Sequence, residues 1–137
     1  MLDITVEFKG LSDIEAGLQA LPVELQRKAL REGLTAAAKV FKIGMSRRAP
    51  EDTGELASSI TYRVRVSERG YGQAIAQIGP AKNAWYGSFL ERGTKYMRAR
   101  KFMVTTMEED GQIALSAFVH GVRRNFDRLI RRARRAA

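Results

Sequence analysis

Residues 47–60, RRAPEDTGELASSI, set two adjacent carboxylates, Glu51 and Asp52, beside the hydroxyl of Thr53. A carboxylate pair can perform acid–base chemistry when a pocket drives its two pKa values apart and a reacting group lies close. A local explanation is simpler. Asp52 with Glu55 three residues later has capping-box spacing for the short segment TGELASSI, and Thr53 is an alternative cap one residue on. Gly54 permits a close backbone approach or a conformation that other residues avoid. Leu56 and Ile60, four apart, would anchor the segment on a core. The stretch is read as a joint between two structural elements.

The remaining candidates for chemistry are few. His120 is the sole histidine, which leaves histidine-cluster metal sites and Ser-His-Asp triads without a basis. No cysteine is present, so thiolate nucleophiles, disulfides and Cys-based metal sites are excluded. That usage suits synthesis in a reducing cytoplasm. The acidic run Glu108, Glu109, Asp110 sits in helical register and lacks the spacing of a calcium loop. The Gly-Tyr-Gly at 70–72 falls where a hairpin turn is expected and does not resemble a phosphate cradle. No catalytic, cofactor-binding or metal-binding residue is assigned. The expectation is a protein that is not an enzyme and carries no cofactor.

The elements that would position these residues follow from periodicity. Leu2, Ile4, Val6 and Phe8 alternate with polar residues, the pattern of a half-buried strand stopped by Gly10. Ser12 and Glu15 form a capping box for a short helix carrying Ile14, Leu18 and Leu21. Pro22 suits the first turn of a second helix, whose apolar face runs Leu30, Leu34, Ala37, Phe41, Met45 and which Pro50 ends. Residues 60–79 read as a β-hairpin, with Ile60, Tyr62, Val64 and Val66 on one face and Arg63 and Arg65 on the other. An irregular stretch leads to a short helix around Trp85–Leu90, ended by Gly93. From Val104 the apolar residues Met107, Gly111, Leu115, Phe118, Val122, Phe126, Leu129 and Ala133 recur at steps of three or four, a long amphipathic helix that Gly111 could kink. The fold class is α+β: a small antiparallel sheet, made of the N-terminal strand plus the central hairpin, packed against two long amphipathic helices. The length, 137 residues, matches a single domain over 1–137.

The net charge is +9, and residues 121–137 contribute most of it through seven arginines and one acid, Asp127. Arg124, Arg128, Arg131 and Arg135 share a stripe on this basic helical tail. They are candidate contacts to DNA or another anionic partner; a solvated helix face is the alternative. No run approaches the roughly 18 apolar residues of a membrane span. Asp3, Glu7 and Lys9 interrupt any secretory h-region, so neither a membrane nor a leader is expected.

With the joint placed between a long helix and a hairpin, APEDTGELASSI resembles the AP-x-x-TG-x-L-x-x-S-I signature of the gene-product-ten-like tail components of tailed bacteriophages. IGPAKNAWYGSFLERGT resembles that family's second motif, through Gly79, Tyr86, Phe89-Leu90, Glu91, Gly93 and Thr94. KFMVTTMEED resembles the start of its last helix, although the family's prolines around Phe102 are missing here. That departure leaves KYMRARKF open to an extended strand.

The resemblance implies a structural virion protein and assigns Pro50, Asp52, Thr53, Gly54, Leu56, Gly79, Tyr86, Glu91, Gly93 and Thr94 to shape. Glu91 would accept backbone N–H bonds or pair with a base to hold the Gly93-Thr94 turn; an exposed carboxylate is the other reading. Trp85 and Tyr86 would lie in the core or at a subunit contact; Arg63 and Arg65, by their place on the hairpin's outer face, would meet solvent or a subunit contact. The implied role is tail completion or head–tail joining by a ring, often of six copies, at the head-proximal end of the tail. The implied partners are further copies of the chain, tail-tube or terminator protein, head connector or adaptor proteins, and DNA in the channel. Localisation would be the virion neck, with the host cytoplasm during assembly. A tail terminator that caps the tube is a close variant. A nucleic-acid-binding module using the arginine helix is the alternative from another class.

Overall fold

A computed structural model describes residues 12–50, 54–66, 74–81, 84, 86–95 and 98–136. The N-terminal strand expected over Leu2–Phe8 lies outside them. In chain order the elements are α1 (Ser12–Gln19), α2 (Val23–Arg48), α3 (Glu55–Ser59), β1 (Ile60–Val66), β2 (Ala74–Pro80), α4 (Gly87–Arg92) and α5 (Phe102–Ala136). The α+β architecture is as expected, with a two-stranded antiparallel sheet among the described residues.

Helix α2 is the centre of the molecule. One side packs along α5 and another along both strands. Its expected apolar face is the buried one: Ala37, Phe41 and Met45 lie in the core, with Leu30 and Leu34 packed against it. Pro22 occupies the N-cap rather than the first turn, in extended geometry, and its carbonyl accepts the Gln26 N–H at 3.0 Å. Ala49 ends the helix in extended backbone, as the proline after it demands.

Helices α2 and α5 run antiparallel, with Gly33 against Gly121 and Arg48 against Asp110. A Cβ on Gly121 would stand 2.9 Å from Gly33 Cα, so the two backbones touch at this level. No larger residue would fit there without moving the helices apart.

The hairpin has the expected alternation. Ile60 pairs with Pro80, Tyr62 with Ile78 and Val64 with Ala76 on the core side; Arg63 pairs with Gln77 and Arg65 with Ile75 on the outside. Lys42 of α2 sits 5.8 Å from the centre of the Tyr62 ring, a cation–π contact that lays the lysine over the hairpin's inner face.

The final helix departs from expectation in two ways. It starts at Phe102, continues through Gly111 without a break, and is not preceded by a strand over the described residues of KYMRARKF. Its buried line also differs from the purely apolar seam. Val104 is 43% exposed, while Met103, Thr106, Asp110, Ala114, Phe118 and Val122 are buried. Met107, Leu115 and Phe126 flank that line at half burial. Two polar residues therefore occupy the centre of the helix interface, and a count of apolar residues alone rotates the face away from them.

Candidate functional site

The joint is built by backbone geometry. Gly54 is the N-cap of α3, in left-handed geometry at φ 74°, with no side-chain cap bond. The cap therefore falls after both residues expected to supply it, and Asp52 and Thr53, with Glu51, lie outside the described residues. Nothing lies within 4 Å of where a Gly54 Cβ would be, so conformation, not crowding, calls for glycine. Leu56 is 2% exposed, and Ser46 Oγ donates to Ala57 O at 2.9 Å, which ties α3 to α2.

The two motif stretches meet in space. A Cβ on Gly87 would lie 2.8 Å from Pro80 Cγ and 3.0 Å from Leu56 Cδ1. Ala81 N–H donates to Ser59 O at 3.0 Å, closing the same junction. Gly79 is buried at the end of β2, and Tyr86 packs half-buried against the core as the N-cap residue of α4. Trp85 lies outside the described residues. The short helix is Gly87–Arg92, slightly later than the sequence suggests, and Gly93 ends it at φ 78° with its N–H on Phe89 O at 2.7 Å.

Glu91 is 6% exposed, and its carboxylate accepts the N–H of Met103 at 2.8 Å and of Val104 at 3.1 Å. It is the side-chain cap of α5, supplied from twelve residues upstream. The first helical N–H groups lack intrahelical partners and carry partial positive charge, so a buried carboxylate there is satisfied twice over. Lys101, at φ 47°, passes the chain into the helix, while Arg100 N–H donates to Leu90 O at 2.7 Å.

A second polar centre was not visible in the sequence. Arg48 spans α2 and α5, with Nη1 2.7 Å from Asp110 Oδ2, Nη2 3.0 Å from Asp110 Oδ1 and Nη1 3.2 Å from Thr106 Oγ1. Glu109 takes Nη2 at 2.8 Å, and Arg47 approaches Asp110 at 3.8 Å. The bidentate hydrogen bond from Arg48 holds the Asp110 carboxyl below its ordinary value, and Asp110 in turn raises the Arg48 guanidinium. Gly44 makes room for that carboxylate. The available signal was a glycine near the end of α2, one turn before an arginine whose partner lies 62 residues further on.

The arginine stripe of α5 divides in two. Glu32 of α2 accepts from Arg128 Nη2 and from Asn125 Nδ2 (3.1 Å), and lies 3.8 Å from Arg124 Nε. Arg131 and Arg135 are exposed and bond to no described residue. Arg63 and Arg65 are exposed on the outer face of the hairpin. His120 is exposed on α5, and among the described residues no group of three or more His, Cys, Asp or Glu could hold a metal ion.

The chain matches the family model described as "Bacteriophage HK97-gp10, putative tail-component" over residues 12–93, a span that takes in the first motif stretch and the second as far as Gly93. The chain belongs to this family. Membership makes it a bacteriophage tail component. The match runs from α1 to the end of α4. It stops short of KFMVTTMEED, so it covers less of the chain than the sequence motifs suggested. No curated protein and no solved structure matches the chain. No described helix is long and apolar enough to cross a membrane.

Proposed function

We propose that this tail component is a neck protein, acting in tail completion or head–tail joining as a single domain that assembles into a ring. The observation that carries this reading is the role of the family-motif residues. Gly54, Leu56, Glu91 and Gly93 turn the chain, fill the core or cap a helix, and Gly79 lies buried in β2. Side chains spent on shape suit a protein that works by presenting surfaces to its neighbours.

A ring requires two different patches that match each other from copy to copy. The outer face of the hairpin, with Arg63, Arg65 and the 47% exposed Ile75, is one candidate patch. The stretch around Trp85 and Tyr86 is the other. Six copies at the head-proximal end of the tail would contact tail-tube or terminator protein on one side and head connector or adaptor proteins on the other. Assembly in the host cytoplasm would precede residence in the virion neck, around the channel for DNA.

The test is complementation in vitro. Purified protein is added to a lysate of phage lacking the gene, and joined particles are counted by negative-stain microscopy. Joined heads and tails, with labelled protein at the neck, are the expected result. Restoration of normal tail length without joining would reassign the chain to tail termination, and no effect on either would overturn the proposal.

A further inference from the structure

The seven basic residues after Gly121 are all arginine, whereas all seven lysines of the chain lie at or before residue 101. Those arginines are not equivalent. Arg124 and Arg128 are drawn onto Glu32, which also takes Asn125. One turn further along α5, Arg131, Arg132, Arg134 and Arg135 are all exposed, and residues 128–137 contain no acid. The nearest acid along the helix is Asp127, itself exposed.

The α5 C-terminus does not explain so much charge. A helix macrodipole presents about half a negative charge at that end, enough to favour one cation, not four. Arg131 with Arg134 and Arg135, and Arg132 with Arg135, are three or four residues apart, where like charges repel on a helix surface. The isolated chain bears this repulsion, and a polyanion would relieve it.

The chemistry of the surface indicates which polyanion. Protein interfaces carry an apolar core depleted in charge, yet Ile130, at 51% exposure, is the one exposed large hydrophobic described beyond Ile113. Guanidinium forks match phosphate oxygens bidentately and keep their charge in any setting, properties that a lysine ammonium lacks. We propose that the distal arginines of α5, Arg131, Arg132, Arg134 and Arg135, bind a nucleic-acid phosphate backbone, and that Glu32 withholds Arg124 and Arg128 from it. This surface lies beyond the residues that match the family model, and the inference is independent of where in the particle the chain sits.

The test uses the full chain, a short fluorescein-labelled DNA duplex and anisotropy titrations across a salt series. Each neutralised phosphate contributes about 0.9 to the slope of log affinity against log salt, so four contacts predict a loss of about a hundredfold between 50 and 200 mM salt. Replacing all four distal arginines by Gln should remove most of that slope while leaving the melting temperature in place. Arg124→Gln with Arg128→Gln should leave the slope nearly unchanged, and Glu32→Gln should raise it by about one to two. Wild-type binding by the distal variant would overturn the proposal. So would polyglutamate competing as well as the duplex at equal charge, since that would indicate an acidic protein partner. An equal loss from the Arg124 and Arg128 substitutions would overturn the division made by Glu32.

Discussion

Gly44 of α2 faces Asp110 of α5 so closely that the carboxylate occupies the space of the missing side chain. A Cβ at position 44 would lie 2.8 Å from Thr106 Cγ2 and 2.9 Å from Arg48 Nη1, with Asp110 Oδ2 nearer still. The absent side chain and the buried salt bridge are thus one feature. The guanidinium of Arg48 can clasp Asp110 on both oxygens because nothing at position 44 pushes the helices apart.

Gly44→Ala should therefore destabilise the protein, by about 1–3 kcal/mol, through overpacking and loss of the bidentate pair. Gly111 supplies the internal control. It lies inside α5, and a Cβ there would meet nothing within 4 Å, so Gly111→Ala should stabilise by about 0.5–1 kcal/mol through helix propensity alone. Urea denaturation of the two variants decides the matter, and a stabilising Gly44→Ala would contradict the arrangement.

The salt bridge also predicts a pH dependence. The Asp110 pKa is lowered in the folded state, chiefly by the Arg48 hydrogen bond. Its contribution is then fully present above the unfolded-state value, near 3.8, and is lost as pH falls from there through the folded value. Asp110→Asn should be less stable than the parent at neutral pH by about 1–3 kcal/mol. The gap should close in acid, below the unfolded-state value. Melting temperatures across an acid series measure it, and a gap independent of pH would show that Asp110 does not supply it through its charge.

Much of the fold was legible because it is written in local signals. Pro50 and Gly93 end their helices where expected, and the alternation from Ile60 to Val66 gives both the strand and its buried face. What was hidden depended on partners distant in sequence. Thr106 and Asp110 are buried because Arg48 reaches them from α2, so the apolar pattern of α5 pointed to a face displaced from the real one. At the joint, acids and a hydroxyl gave a strong capping signal, yet left-handed Gly54 holds the cap position. For Glu91 the backbone-acceptor reading was available in advance, but not that the acceptor serves α5.

Glu91→Ala should free two N–H groups in the first turn of α5 and cost about 1–2 kcal/mol, the scale of a lost N-cap. Hydrogen exchange gives the more specific readout. The amides of Met103 and Val104 should lose protection well before those around Ala114, which the cap does not touch. Uniform loss of protection along α5 would mean that Glu91 acts on global stability rather than on the helix start.

The backbone contact between the two long helices makes the last prediction. At the α2–α5 crossing, a Cβ on Gly121 would meet Gly33 Cα at 2.9 Å, Glu32 O at 3.1 Å and Gly33 N at 3.2 Å. All three obstacles are backbone, so no rotamer change can relieve them, and Gly121→Ala must separate the helices or shift their register. The expected cost is about 1–3 kcal/mol. Separation at this level would also loosen Glu32 from Arg124, Asn125 and Arg128, which lie within two turns of Gly121. Gly121→Ala should therefore lower the denaturation midpoint and at the same time raise salt-sensitive duplex binding, as the two withheld arginines are released. A variant with the lowered midpoint and unchanged duplex binding would show that the Glu32 clasp survives the separation of the helices.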